Sequence, residues 1–177
     1  MRTFVFDLET TNLRSDIGTV LVASFGELKP DGSLGKMHTN DKLSAGSELA
    51  LAEWIYDKLL EADILIGHNS KAFDRNFLNG YFFRLGMGLA PKVCKHFDTC
   101  QTARGKLLFQ SNSLENLADV LGVATKKFHP GKDSWREAGQ LDKKAIKTLR
   151  TRCQEDVKAT AEVWAKLGPL YKERWGE

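Results

Sequence analysis

The chain has 177 residues, of which 42% are hydrophobic and 28% are charged, and its formal net charge is +3. This composition is typical of a globular protein with its own hydrophobic core, and it excludes a disordered or fibrous chain. The three cysteines (Cys94, Cys100 and Cys153) show no CxxC spacing, so we expect buried thiols, a reducing compartment and no structural zinc site. Because no apolar run reaches the length of a membrane span, the sequence predicts one soluble, cytoplasmic domain over residues 1–177.

The first predicted strand carries two carboxylates on an otherwise apolar segment. Strand side chains alternate between faces, so Asp7 and Glu9 share one face. The apolar side chains share the other face: Phe4, Phe6 and Leu8. Two neighbouring carboxylates on a buried strand repel each other, and burial without a cation is costly. Hard oxygen ligands suit Mg²⁺ or Mn²⁺, so we interpret both acids as metal ligands. Taken without the rest of the chain, this short acidic motif would instead favour an exposed strand end.

Further along the chain, apolar periodicity and turn residues predict a series of strands and helices. The elements are strands Thr3–Glu9, Thr19–Leu28 and Gly35–Thr39, helix Ser47–Ala62, buried strand Ile64–Gly67, helix Ala72–Leu85, a strand or loop in Lys92–Ala103, a helix from Ser113 through Val120, a basic loop Lys126–Trp135, and helices Asp142–Thr151 and Glu155–Lys172. An antiparallel meander followed by helices and a buried strand predicts an α/β fold. Its sheet would be mixed, with antiparallel and parallel strands, and flanked by helices.

Two further acidic positions lie on elements that can approach Asp7 and Glu9. Asp74 follows the buried strand and a polar turn, at the start of a helix. Ligands in α/β sheets bind beyond the carboxyl ends of the strands, so this aspartate faces such a site. Asp156 lies near the start of the last predicted helix, beside an apolar stripe, which predicts that this end of the helix docks on the sheet. Asp98 is a weaker candidate, for which a cap or turn role is favoured.

Three motifs in this order resemble the DEDD superfamily of 3′–5′ exonucleases, which has a ribonuclease-H-like fold. They are Asp7-Leu8-Glu9, then Asn69 with Phe73-Asp74, then Asp156-Val157. The resemblance covers nearly the whole chain, and it is closest to predicted bacterial and phage exonucleases of the branch with tyrosine in the third motif. It implies two divalent cations, Mg²⁺ or Mn²⁺, held by Asp7, Glu9, Asp74 and Asp156. It also implies release of nucleoside monophosphates from the 3′ ends of single-stranded DNA or RNA.

The resemblance further implies substrate contacts from residues beside the acids: Leu8, Thr10, His68, Asn69 and Phe73. Phe73 and Leu8 would act as wedges against the terminal bases, and for Phe73 this suits any sequence because aromatic stacking tolerates any base. For Phe73 a core position against Phe77 is the favoured alternative. His68 and Asn69 either contact a phosphate or order the turn through a structural hydrogen bond.

The third motif departs from the family pattern. The family places tyrosine four residues, or histidine five residues, before the last aspartate, where this chain has Arg152 and Thr151. A guanidinium stays protonated, so Arg152 cannot be a general base; it could bind the scissile phosphate or orient a water. His129 is a candidate replacement, with a phosphate contact or a loop-fixing hydrogen bond as its alternatives. A third interpretation is an attenuated or inactive enzyme, but we favour retained activity because all four acids are present.

These features leave three functions open. The first is a metal-dependent 3′–5′ exonuclease, and the basic residues outside the acidic positions suit such a polyanionic substrate. The second is a catalytically silent nucleic-acid-binding module, which the residues at the third motif favour. The third is an endonuclease of the wider ribonuclease-H-like group. The sequence predicts no membrane partner, and it indicates neither an oligomeric state nor a preference for DNA or RNA.

Overall fold

The computed structural model describes residues 1–126 and 128–175. The described strands are β1 (Thr3–Thr10), β2 (Val20–Leu28), β3 (Leu34–Asp41), β4 (Ile64–Gly67) and β5 (Lys95–Asp98). The described helices are α1 (Lys42–Ala45), α2 (Glu48–Leu60), α3 (Asp74–Arg84), α4 (Thr99–Lys106), α5 (Leu114–Val120), α6 (Ser134–Gly139) and α7 (Lys143–Trp175). None of the described helices combines the length and the apolarity that crossing a membrane requires.

The strands form one mixed sheet in the order β3-β2-β1-β4-β5. The pairs β1–β2 and β2–β3 are antiparallel, and the pairs β1–β4 and β4–β5 are parallel. The central strand β1 therefore joins the antiparallel meander to the parallel half. This arrangement confirms the predicted α/β fold with a mixed sheet flanked by helices.

Side chains of β1 alternate between two hydrophobic layers, as the sequence predicts. Phe4, Phe6 and Leu8 are buried in the cluster that contains α2 and α3 side chains. Val5 packs instead with Val157 of α7. Asp7 and Glu9 have the same parity as Val5, so β1 presents both acids on the side of the sheet that α7 covers.

One continuous helix, α7, replaces the two helices that were predicted at Asp142–Thr151 and Glu155–Lys172. The predicted break was wrong because residues 152–154 include no glycine or proline that would interrupt a helix. An uninterrupted helix places Arg152 and Asp156 one turn apart on the same face. The continuity of α7 therefore sets the relative position of Arg152 and Asp156 in the acidic cluster.

Short helices account for most of the other differences from prediction. The strand expected within Lys92–Ala103 is present as β5, but α4 follows it at once and was not predicted. The last two residues of the predicted basic loop, Ser134 and Trp135, belong instead to α6, and Lys127 of that loop lies outside the described residues. Ser47 and Ser113 each accept a backbone hydrogen bond at a helix start.

The cysteine prediction was right for two of the three thiols. Cys100 and Cys153 are buried, whereas Cys94 is exposed. Cys94 lies immediately before β5, in the segment that enters the edge strand of the sheet. An edge strand has no neighbour on its outer side, so the chain entering it is less covered than the chain around a central strand.

Candidate active site

Three carboxylates from β1 and α7 meet at one point. One oxygen atom each from Asp7, Glu9 and Asp156 lies within 4.8 Å of the other two. The sulfhydryl of Cys153, on α7, donates a 3.2 Å hydrogen bond to the backbone carbonyl of Asp7. This bond ties the helix to the strand beside the acids. Hard oxygen donors at such spacing suit a divalent cation.

Asp74 contributes to the electrostatic environment of this cluster. It is the first residue of α3, and it is only 5% exposed. Burial raises the pKa of Asp74 to about 8, and repulsion from Asp98 and Glu9 adds to the effect. Repulsion from Asp74 in turn contributes to the raised pKa of Asp7. The four predicted acids thus influence one another, with three of them in the closest group.

The acids carry more negative charge than the surrounding residues neutralise. Burial raises the pKa of Asp7 well above its usual value, and repulsion from Glu9 and Asp156 raises it further. Burial also raises the pKa of Glu9 to about 7, although the Arg152 guanidinium opposes this shift. A carboxyl group held near other carboxyl groups takes up a proton unless a cation is supplied. The donor set therefore fits a divalent cation in chemistry and in charge.

Arg152 lies inside the acidic cluster. Its Nε is 2.7 Å from Oε1 of Glu9, and its Nη2 is 3.3 Å from Oδ2 of Asp156. Its Nη1 donates a 2.7 Å hydrogen bond to the carbonyl of Phe128, and the guanidinium carbon lies 5.4 Å from the centre of the Trp135 ring system. Nε and Nη2 are thus in ion-pair contact with carboxylates, without a hydrogen bond from Nε, and Nη1 is hydrogen-bonded to the backbone. These contacts differ from the phosphate or water contact that the sequence suggested, which stays a prediction.

Trp135 is a site residue that sequence reasoning missed. Its indole Nε1 donates a 2.8 Å hydrogen bond to Oε2 of Glu9. The residue belongs to α6, and its ring also packs against a cluster that includes Leu149 and Cys153 of α7. The sequence offered one weak signal, a large aromatic residue at the end of an otherwise polar and basic segment.

An open cavity of about 550 Å³ adjoins the carboxylates. Its lining includes Asp7, Asp156, Arg104 of α4 and the polar segment 110–113. A cavity that combines acidic, basic and amide groups suits a nucleotide, in which a phosphate and hydrogen-bonding groups lie close together. The acidic cluster therefore lies open to this cavity.

The turn after β4 brings two predicted substrate residues to the same cavity. His68 and Asn69 both line it. Nδ1 of His68 is 2.9 Å from Oγ1 of Thr99, and the backbone N–H of Asn69 donates a 3.0 Å hydrogen bond to Asp98. The structural hydrogen bonds proposed as alternatives are therefore present. Asp98 also caps α4, as was favoured for it.

The remaining predicted substrate residues make contacts within the protein. Leu8 is 6% exposed and lies in the hydrophobic core, so little of its surface can reach a base. Phe73 packs with Phe77 at a ring-centroid distance of 5.7 Å, which agrees with the core position favoured for it. Thr10 donates a 2.9 Å hydrogen bond from Oγ1 to the carbonyl of Asn12, at the end of β1.

His129 and Thr151 make contacts at the surface. Nε2 of His129 lies 3.1 Å from Oε1 of Glu115, with 62% of the imidazole side chain exposed. This contact is the loop-fixing interaction considered for His129. Thr151 donates a hydrogen bond from Oγ1 to the carbonyl of Lys147, on its own helix. For both residues the observed contacts are structural.

Comparison with known proteins agrees with this architecture. The RNase_H_2 family model, of the RNase H superfamily, matches residues 4–168, and the chain therefore belongs to the RNase H superfamily. Among 258 matching solved chains is the family B DNA polymerase from the hyperthermophilic archaeon Pyrobaculum calidifontis. The alignment has 20% identity and a TM-score of 0.74, and it covers 96% of this chain but 25% of the polymerase. At this identity the likeness is one of fold, and no curated protein matches the chain.

Proposed function

We propose that the protein is a divalent-metal-dependent 3′–5′ exonuclease, in one domain, that resembles the tyrosine branch of the DEDD exonucleases. The observation that carries the proposal is the meeting of Asp7, Glu9 and Asp156, with oxygens within 4.8 Å, beside an open cavity. Membership of the RNase H superfamily supports nuclease chemistry, and the fold shared with a DNA polymerase supports a nucleic-acid substrate. The order of the three acidic motifs supports the exonuclease over an endonuclease.

The acids and the cavity have separate tasks in this proposal. Asp7, Glu9, Asp74 and Asp156 supply the oxygen ligands for Mg²⁺ or Mn²⁺. When bound, the metal would activate a water and stabilise the leaving 3′ oxygen of an in-line displacement. Arg104 supplies a positive charge in the cavity for a phosphate, since a guanidinium can donate two parallel hydrogen bonds to it. The polar groups of segment 110–113 supply hydrogen bonds for the sugar or base.

A labelled-oligonucleotide assay tests the proposal. Single-stranded DNA and RNA labelled at the 5′ end are incubated with protein in Mg²⁺, Mn²⁺ or EDTA. We expect a ladder that shortens one nucleotide at a time from the 3′ end, with metal only. Asp7→Ala should abolish the ladder, whereas Asp57→Ala, an exposed aspartate on α2, should leave it unchanged. Equal cleavage by the Asp7→Ala protein would contradict the proposal.

A circular single-stranded substrate separates the exonuclease from an endonuclease. An exonuclease needs a free 3′ end, so the circle should survive an incubation that degrades the linear strand. Conversion of the circle to linear products, lost in Asp7→Ala, would replace the exonuclease with an endonuclease. The relative rates on linear DNA and RNA then give the preferred sugar.

A second candidate function is a nucleic-acid-binding module with an attenuated or inactive site. The ion pairs from Arg152 to Glu9 and Asp156 favour it, because they engage two of the acids that would hold the metal. This candidate predicts binding to single strands that weakens as salt rises, without cleavage in either metal. Binding measured by fluorescence anisotropy on the same oligonucleotides, beside the cleavage assay, decides between the two functions.

A further inference from the structure

We infer that Arg152 takes the place of one of the two divalent cations implied by the resemblance, so that the cluster binds a single ion. The inference rests on the proposed function, because it concerns the metal that the exonuclease would use. Three features carry it. They are the position of the guanidinium between two carboxylates, the contacts that fix it there, and the side of the cluster that remains open.

The guanidinium bridges two of the three clustered acids. Nε lies 2.7 Å from Glu9 and Nη2 lies 3.3 Å from Asp156. A cation shared between these carboxylates would also place positive charge beside the same oxygens. The Arg152 side chain is 14% exposed and both carboxylate side chains are 7% exposed, so water screens the interaction little. Arg152 therefore provides a permanent counter-charge on this side of the cluster.

Contacts on its other sides hold the guanidinium in this position. Nη1 donates a 2.7 Å hydrogen bond to the carbonyl of Phe128, and the guanidinium lies near the Trp135 ring. The same tryptophan donates a hydrogen bond to the second oxygen of Glu9. Both oxygens of Glu9 thus contact positive or hydrogen-bond-donating groups of the protein. Admission of an ion between Glu9 and Asp156 would disrupt several of these contacts at once.

The other side of the cluster is open to the cavity. Asp7 and Asp156 line it, together with Arg152 itself. An ion that enters from the cavity therefore reaches Asp7 and Asp156, while Glu9 is held between Arg152 and Trp135. Carboxylate oxygens at this position suit Mg²⁺ or Mn²⁺. The carboxylates that face the cavity can therefore bind one ion, with Asp7 among its ligands.

The test counts bound Mn²⁺ on the full-length protein. Equilibrium dialysis and isothermal titration calorimetry are carried out with Mn²⁺ alone, and again with a nucleoside monophosphate present. We expect one Mn²⁺ for each wild-type chain and two for Arg152→Gln, which removes the charge. Arg152→Lys keeps a positive charge and should retain one ion. Lys158→Gln removes an exposed positive charge from the same helix and should also retain one.

Two results would overturn the inference: two Mn²⁺ ions bound by the wild type, or a single ion still bound by a folded Arg152→Gln. Circular dichroism establishes folding before the count. If Arg152→Gln does not fold, bound Mn²⁺ is counted on the wild type and on Arg152→Lys alone. Two bound ions on either protein would then contradict the inference.

The count is independent of the nuclease assay. One bound ion without cleavage would reject the proposed function and leave the inference in place. Two bound ions with cleavage would support the proposed function and reject the inference.

Discussion

The indole of Trp135 donates a 2.8 Å hydrogen bond to Glu9, although 126 positions separate the two residues in the chain. The bond joins α6 to the central strand, and it leaves Oε1 of Glu9 facing Arg152. Trp135 thus helps to fix the orientation of a carboxylate in the acidic cluster. Trp135, which was not predicted to belong to the site, therefore helps to orient Glu9, which was.

Trp135→Phe is expected to destabilise the protein by about 1–3 kcal/mol, because it leaves a buried carboxylate oxygen without its donor. The phenyl ring keeps most of the packing. Urea unfolding of Trp135→Phe, Glu9→Leu and the double variant forms a thermodynamic cycle that isolates the interaction, because leucine cannot accept the hydrogen bond. Additive effects of the two substitutions would show that the hydrogen bond contributes nothing.

Asp7→Asn is expected to stabilise the metal-free protein while it abolishes cleavage. The substitution removes a charge that burial disfavours and that Glu9 and Asp156 repel, so the unfolding free energy should rise. Thermal unfolding in EDTA measures it, with Asp57→Asn as the control. Addition of Mg²⁺ should raise the melting temperature of the wild type but not that of Asp7→Asn. A lower stability of Asp7→Asn in EDTA would show that repulsion at this position is unimportant.

His96 is expected to make stability depend on pH in the mildly acidic range. Burial lowers its pKa from 6.5 to about 4, with further lowering by Lys71 and Arg75. Between these values the unfolded chain binds a proton that the folded protein does not, so stability falls as pH falls from 6.5 to 4. The loss is about 2 kcal/mol, allowing for residual exposure of the ring.

The comparison of the wild type with His96→Gln tests this expectation, because glutamine does not titrate. Unfolding free energies of both proteins are measured by urea titration at intervals from pH 4 to pH 7.5. The difference between them should change with pH over the stated range and be constant above it. Parallel curves would assign the acid sensitivity to other groups.

Gly67→Ala is expected to destabilise the turn that carries His68 and Asn69. A Cβ at Gly67 would lie 2.3 Å from Oγ and 2.4 Å from Cβ of Ser70, so the backbone must move, at a cost of about 1–3 kcal/mol. Thermal unfolding and the cleavage rate should both fall. The double variant with Ser70→Gly should recover part of the loss.

Gly105→Ala serves as the matched control for this substitution. It lies within α4 and its added Cβ would meet open space, so a gain of about 0.5–1 kcal/mol is expected from helix propensity. A similar loss of stability in both variants would show that the approach of Ser70 to Gly67 has no special cost.

The sequence predicted the parts of the site that depend on local periodicity. Alternation along β1 was sufficient to place Asp7 and Glu9 on one face, because a buried strand leaves each side chain a single choice of side. The apolar stripe of the last helix likewise indicated that Asp156 faces the sheet. The mixed sheet followed from the same patterns.

The contacts of Arg152 and Trp135 depend on tertiary packing, and no local pattern predicts them. Helix α6 is a single short segment whose position is set by its packing on α7, so periodicity had too few residues to reveal it. The sequence places Arg152 four residues, and so one helical turn, before Asp156. Its contact with Glu9 also depends on the distance between β1 and α7, which no local pattern predicts. The break predicted between the last two helices was wrong, because residues 152–154 include no residue that would interrupt a helix.

Asp98 joins two elements that line the cavity. Its buried carboxylate accepts hydrogen bonds from the backbone N–H groups of Asn69 and Lys71, in the turn after β4, and of Gln101, in α4. The turn and the helix that carries Arg104 both line the cavity, and this one side chain joins them. Because one carboxylate holds both elements, a displacement of the turn would carry strain into α4, and a displacement of α4 would carry strain into the turn.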